Sequence, residues 1–209
     1  NLNDSFADRI FDAIAIKYLK PKKETKKWAA WSEGNISFGR IGHRGENLGQ
    51  DIHSDGLTFG IDKKISAART FGMAVSQSWH KTQVGSNEAN MDASSTSIIG
   101  YGSIKLKERT FIETAIALGE MEVDLKRSVD GGQNKGIRDG KQIYGSFTYL
   151  FEPSMEYIIE GVNTNYYSRL DLGYTMLDDY TESGDDDTVF YDDQNVKSAT
   201  LSLGYNYSK

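Results

Sequence analysis

From Trp28 onward the chain changes side-chain character at every second residue, which confines it to strands with one apolar and one polar face. Trp28, Ala30, Ile36 and Phe38 oppose Lys27, Glu33, Asn35 and Ser37, with Trp31 the exception. Leu57, Phe59 and Ile61 alternate with Thr58, Gly60 and Asp62, and Phe71, Met73, Val75 and Trp79 with Gly72, Ala74, Ser76, Ser78 and His80. A fourth strand over residues 96–106 sets Ile98 beside Ile99, so periodicity leaves its facing open. In a fifth, over 110–125, Phe111, Ala115, Ala117, Met121, Val123 and Leu125 share one parity. Thr114, Glu120, Glu122 and Asp124 share the other, with Ile112, Ile116 and Leu118 as exceptions. Ile143, Phe147, Tyr149 and Phe151 mark a sixth strand; a seventh runs from Met155 through Tyr157, Ile159 and Gly161 toward Tyr167. Ala199, Leu201, Leu203, Tyr205 and Tyr207 mark an eighth.

The segments between these strands add an order to the pattern. Residues 40–54, 82–93 and 126–141 read as long, polar, glycine-containing connections, whereas 62–70, 105–109 and 151–154 read as short ones. Strict alternation of long and short predicts an up-and-down membrane barrel, with long loops outside and tight turns on the periplasmic side. Greek-key crossovers in a soluble sandwich would scramble it. The predicted fold is therefore all-β: an antiparallel up-and-down transmembrane β-barrel over residues 28–209, with eight strands visible.

Before the strands, Phe6, Ile10, Phe11, Ala13, Ile14 and Tyr18 recur at helical spacing behind Asn3 and Asp4, which predicts a short helix over residues 5–19 ended by Pro21. Lysines between Lys17 and Lys27 complete an N-terminal helix-and-basic-linker unit over residues 1–27. Asp8, Arg9 and Asp12 exclude that helix from lipid, and no run of 18 or more apolar residues occurs in the chain, so helical membrane spanning is excluded. A mean hydropathy of -0.55 remains compatible with a membrane barrel, because lipid-facing and lumen-facing residues average out.

Other classes of chemistry find little footing. A net charge of -6 gives no basic footprint and argues against a nucleic-acid partner, and the absence of cysteine removes disulfides and thiolate metal sites. His43, His53 and His80 are scattered, and Gly131-Gly132 lacks the strand-to-helix context of a phosphate loop. The acidic run Asp185, Asp186 and Asp187 lacks the spacing of a calcium loop. No catalytic, cofactor-binding or metal residues are expected, and the chain is not expected to be an enzyme.

The ordered series of motifs resembles a known family. Trp28-Ala29-Ala30-Trp31, then residues 55–62 (Asp-Gly-Leu-Thr-Phe-Gly-Ile-Asp), then Phe71-Gly72-Met73-Ala74-Val75-Ser76 are similar to the three opening strands of autotransporter β-domains. Ile99-Gly100-Tyr101-Gly102-Ser103 resembles that family's fourth strand. Tyr180-Thr181-Glu182-Ser183-Gly184, with Gln194 and Ser198 through Tyr205, resembles its seventh-to-eighth strand region. The resemblance implies the translocator barrel of type V secretion in the bacterial outer membrane, which anchors and helps translocate an N-terminal passenger. Outer-membrane lipid, that passenger and the barrel assembly machinery are the implied partners. It also implies a twelve-strand barrel with the helix over residues 5–19 inside the pore, so further strands are expected beyond Lys209 and a passenger before Asn1. Asn1-Leu2-Asn3 resembles the site at which part of the family cleaves its passenger, although a short Asn-rich start is more often a helix cap. A non-translocating outer-membrane barrel, such as an adhesin or small porin, and a soluble ligand-binding barrel are the alternatives.

Overall fold

The computed structural model describes residues 28–42, 49–85, 89–107, 109–129, 132–151, 163–184 and 187–208. The helix expected over residues 5–19, the basic linker and Asn1-Leu2-Asn3 lie outside these residues, as do His43 and the first part of the expected seventh strand, 155–161.

Ten strands follow in chain order: β1 (Trp28–Ile41), β2 (Gln50–Ser66), β3 (Arg69–Val84), β4 (Ala89–Lys107), β5 (Thr110–Val129), β6 (Gly132–Phe151), β7 (Asn163–Leu177), β8 (Tyr180–Thr181), β9 (Phe190–Tyr191) and β10 (Gln194–Ser208). Eight of them form one antiparallel sheet in the order β1-β2-β3-β4-β5-β6-β7-β10, each strand beside its sequence neighbour. β8 and β9 pair in the register of β7 and β10, as the far end of that hairpin, and Ser183 next to β8 bridges to Lys135 of β6. Among the described residues β1 and β10 are the two edges.

One face of this sheet is crowded, and among the described residues no second layer covers it. Ala115 and Ala117 are 1% exposed, while Ile116 and Leu118 between and beside them are about 60% exposed. Curvature buries one face of a sheet in this way, because side chains converge on the concave side and splay on the convex side. The concave face carries Trp31, Ser54, Thr58, Ser76, Ser78, His80, Ser95, Ser97, Tyr101, Tyr144, Arg169 and Asp171. The convex face carries the large apolar side chains, among them Phe59, Ile61, Met73, Val75, Ile98, Ile116, Leu118, Phe147, Leu170, Leu201 and Leu203, all exposed. Their cross-strand register is continuous: Phe59 lies opposite Val75, Val75 opposite Ile98, Ile98 opposite Leu118, Leu118 opposite Ile143, and Leu170 opposite both Phe147 and Leu201.

The belt has a definite height. On β6 it holds Ile143, Gly145, Phe147, Tyr149 and Phe151, a stretch matching the roughly 9–11 residues that a tilted strand needs to cross the hydrocarbon core. Phe151, Tyr166 and Tyr205 lie in register as an aromatic row at the short-turn end, with Trp28 and Phe71 flanking Lys63 at the same end. The Lys63 ammonium sits 5.0 Å from the Trp28 ring centre. Phe38, Trp79 and Tyr174 mark the opposite margin. Aromatic girdles at both margins are what a bilayer interface selects.

Two expectations need correction. The fifth strand's apolar parity, Ala115, Ala117, Met121 and Val123, faces the concave side, and the apparent exceptions Ile116 and Leu118 belong to the belt. The inner wall demands small side chains rather than polar ones, so alanines there mimic an apolar outer face. Glu120, Glu122 and Asp124 share the convex face with Ile116 but stand beyond the belt, where Glu120 is directly opposite Lys141. The second correction concerns the connections. Residues 82–93 and 126–141, expected as long loops, are largely strand: β3 reaches Val84, β4 begins at Ala89, β5 reaches Val129 and β6 begins at Gly132. These strands are 16 to 20 residues long and run well past the membrane. Outside lipid both of their faces are wet, so the alternation that marks a spanning strand disappears while backbone pairing continues. At this end of the sheet β1 stops at Ile41 and β2 begins at Gln50, and the β7–β10 connection carries β8 and β9.

The belt boundary is testable on one strand and one face. Ile116→Arg should destabilise the protein in lipid vesicles by about 2–4 kcal/mol, the range for arginine at a bilayer midplane. Glu122→Arg, further along the same face of β5, should change stability by less than about 1 kcal/mol. Urea unfolding of the two variants in vesicles measures both.

Candidate functional site

The concave wall of β1–β7 is built from small residues with few large groups, and each large group is seated. Trp31 on β1 donates from Nε1 to the Tyr101 hydroxyl on β4 at 2.6 Å, and that hydroxyl reaches Asp62 Oδ2 on β2 at 3.3 Å. The two rings meet edge to face at 6.0 Å. Both lie over glycines directly opposite them on the neighbouring strand, Trp31 over Gly60 and Tyr101 over Gly72. A Cβ at Gly60 would stand 2.3 Å from the Trp31 ring, and one at Gly72 2.1 Å from the Tyr101 ring. Tyr167 on β7 covers Gly204 on β10 in the same way. The missing side chain is what lets each ring lie against the wall instead of projecting into the lumen.

A second group closes on itself. Arg169 Nε donates to Asp171 Oδ1 at 2.8 Å and Nη2 to the Tyr144 hydroxyl at 3.1 Å, while Tyr144 donates to the same Asp171 oxygen. All three are buried, and mutual pairing is what keeps buried charges tolerable. Between these groups the wall is a field of hydroxyls and alanines. Ser54 bonds His80 Nδ1 at 2.8 Å, Thr58 bonds Ser76 at 2.8 Å, and Ser78 bonds Ser95 at 2.7 Å, with Ala74, Ala93, Ala115 and Ala117 alongside. Hydroxyls paired within the wall leave a wettable surface of low relief.

Toward the end where β5 and β6 outrun the belt, the wall is extended. The β8–β9 ladder continues the wall beside β6, to which Asp178 and Ser183 bond through their backbones, and it turns Glu182 and Tyr180 toward the concave face. Arg127 of β5 grips Glu182 with Nε at 3.1 Å and Nη2 at 2.6 Å, and Nη2 also reaches the Asp187 carbonyl at 2.9 Å. Arg138 of β6 donates to the carbonyls of Asp178 and Asp192, each at 2.7 Å, and to Gln194 Oε1 at 3.1 Å. Asn134, fully buried, adds bonds to Glu182 and to the Asp187 carbonyl. Tyr180 and Tyr191 stack at 4.7 Å across the hairpin, and Tyr180 lies over Gly136. A two-way backbone bridge joins Lys135 to Ser183 at 2.8 and 2.7 Å. The Arg127 guanidinium holds the Glu182 carboxyl below its ordinary range, helped by the Val189 amide, and burial pushes the Tyr180 phenol up to about 12.

The histidines considered from sequence are not brought together. His53 lies on the convex face, stacked on Phe38 and 2.8 Å from Asp55, whereas His80 lies on the concave face. Asp187 stands at positive φ in the hairpin; Asp185 and Asp186 lie outside the described residues. Among the described residues no three His, Asp or Glu side chains are placed to share a metal ion. The seated rings, the Tyr144–Arg169–Asp171 group and the arginine grip were not identified from sequence. The partners of the first and third are some 40 to 70 residues apart, although an arginine at an otherwise small, inward position was a usable signal.

A single curved sheet, apolar outside over the height of a bilayer and polar within, defines a transmembrane β-barrel domain of the outer-membrane type. The model of the autotransporter beta-domain family matches residues 30–209, and the chain belongs to that family. It is thus an outer-membrane β-barrel domain of type V secretion from a Gram-negative bacterium. Its structure is similar to the translocator domain of the autotransporter NalP from Neisseria meningitidis, with a TM-score of 0.81 at 12% identity, over 99% of this chain and 70% of that one. The beta domain of the Bordetella autotransporter BrkA aligns over 87% of this chain and 97% of that one, at 9% identity and a TM-score of 0.43. No curated protein matches the sequence.

Filling a ring seat should be felt across two strands. Gly72→Val should displace Tyr101, break its bond to Trp31 and destabilise the domain by about 1–3 kcal/mol, as overpacking does; denaturant unfolding with Trp31 emission as a second readout tests this. The grip on Glu182 should weaken with acid. A depressed carboxyl contributes stability that is complete above the ordinary glutamate range and is lost as pH falls through its lowered value. The charges facing Glu182 are Arg127 and, more remotely, Asp187, Arg138 and the Tyr180 and Tyr191 phenols. The near-ultraviolet dichroism of the Tyr180–Tyr191 stack should therefore decline below about pH 4, and Glu182→Gln should remove that transition.

Proposed function

We propose that this domain anchors an N-terminal passenger in the outer membrane and carries it outward along the concave wall. The observation behind the reading is the wall itself: hydroxyls bonded to one another, alanines, and large rings laid flat over glycines leave room and offer little for a passing extended chain to stick to. The reading involves no catalytic step. Residues 1–27 are the helix and basic linker that join the passenger to the barrel, and residues 28–209 are the translocator. The edges β1 and β10 are to be closed by further strands of the same protein, because an unpaired edge facing lipid leaves backbone groups unsatisfied at several kcal/mol each. A sheet with such edges needs cover during insertion, a role that falls to the barrel assembly machinery.

Bulk added to the wall tests the route. In the full-length protein, Ala117→Trp should obstruct the lumen and abolish the protease-accessible passenger on intact cells, while Ile116→Trp, facing lipid, should leave export intact. Heat-modifiable migration of the domain reports whether each variant has assembled. An assembled Ala117→Trp protein exporting at the wild-type level would overturn passage along this wall.

A further inference from the structure

We propose that the short-turn rim of β2–β5 is a binding surface for the anionic headgroups of phospholipids in the periplasmic leaflet, made by Lys63, Arg69 and Lys107 with Ile65 and Leu106. Charge is segregated along this domain. Residues 63–70 and 104–111, which contain the two turns at that end, hold six lysines and arginines against one acid, Glu108, in a chain whose net charge is -6. The opposite end of the convex face carries the exposed acids Glu120, Glu122, Asp124 and Asp139. The two turns form one surface, because the Lys105 amide donates to the Ala68 carbonyl at 2.8 Å between them. Short turns of an up-and-down membrane barrel face the periplasm, so the headgroups they meet are those of the inner leaflet.

Both turns carry the same irregularity. The β2–β3 ladder pairs Lys64 with Thr70 and then Ser66 with Arg69, so Ile65 is an extra residue. The β4–β5 ladder pairs Lys105 with Phe111 and then Lys107 with Thr110, so Leu106 is another. A bulge sets two residues against one and re-aims the added side chain. Arg69 has the parity of the lipid-facing Met73, and Thr110 that of Ile116, so Ile65 with Ser66, and Leu106 with Lys107, stand on the convex side. Ile65 and Leu106 are each a little over half exposed there. Lys63, on the same face, holds its ammonium 5.0 Å from the centre of the Trp28 ring, within the aromatic row that marks the interface. Aliphatic side chains that reach the acyl boundary, with cations beside them, are the means by which an interfacial surface holds anionic lipid. A cluster of Lys and Arg at a bilayer surface draws anionic headgroups from a mixed membrane. A zwitterionic headgroup offers the same phosphate together with an ammonium that these cations repel.

The proposal rests on the membrane placement of the barrel and not on export, so its test is separate from that of passenger transport. The full-length protein carrying Trp79→Phe is reconstituted in phosphatidylcholine vesicles, and tryptophan emission is quenched with chain-brominated phosphatidylglycerol or chain-brominated phosphatidylcholine. Trp31 faces the lumen, and tryptophans in water are beyond the reach of chain bromines, so the quenched signal is that of Trp28. Phosphatidylglycerol should associate beside Trp28 about fivefold or more strongly than phosphatidylcholine. Lys63→Gln with Arg69→Gln and Lys107→Gln should bring the two lipids to about equal association. Lys64→Gln with Lys105→Gln, on the inner parity of the same two strands, should keep most of the preference. Heat-modifiable migration reports the assembly of each variant. Equal quenching by the two lipids with all the cations intact would overturn the headgroup surface and leave these residues to a soluble acidic partner. An equal loss of preference in the two variants would overturn the assigned residues. No quenching by either lipid would overturn the placement of this rim in the membrane, and the proposal with it.

Discussion

Inside a bilayer a backbone amide has no partner except another strand, and everything in this domain is arranged around that fact. Water cannot satisfy an N–H at the membrane midplane, so each spanning strand must be paired on both sides. Neighbour-to-neighbour pairing from β1 to β7 and on to β10 does this for every strand between the two edges. The two faces of each strand then meet different surroundings, and the sequence has to alternate accordingly. Curvature then does for the inner face what a packed core does in a soluble protein.

That logic decides which parts of the fold the sequence reveals. β2 and β3 were legible because their outward residues are large and apolar while their inward ones are hydroxyls and glycine, so parity and polarity coincide. β5 misled because the inner wall selects for size. Ala115 and Ala117 are apolar and inward, and Ile116 and Leu118, which looked like exceptions, define the lipid face. Trp31 on β1 looked anomalous for a related reason: it is large and inward, and Gly60 opposite makes room for it. Strand length was hidden as well. Beyond the belt, Lys126, Arg127, Lys135 and Asp139 obey hydrogen-bonding geometry without any hydrophobic pattern to announce it, so paired backbone read as loop.

The polar groups of the wall were the least legible part. Arg127 meets Glu182 across 55 residues of chain, and Trp31 meets Tyr101 across 70. No periodicity connects such positions; only the strand order brings them together. Asp178, Glu182, Asp187 and Asp192 are held by two arginines of the inner wall, Arg127 and Arg138.

The ring-over-glycine pairs carry a consequence for how the sheet finds its alignment. Trp31 and Gly60, Tyr101 and Gly72, and Tyr167 and Gly204 are each directly opposed partners, on three different strand pairs. A slip of one residue turns every side chain to the wrong face and is already forbidden by the lipid. A slip of two keeps the faces right, and hydrophobicity alone would hardly oppose it. It would, however, carry Trp31 from Gly60 to Thr58 or Asp62, and Tyr101 from Gly72 to Ala74 or Thr70, where a side chain fills the seat. Each pair is a key cut for one register, distributed along the sheet so that strands of similar composition cannot settle one notch away.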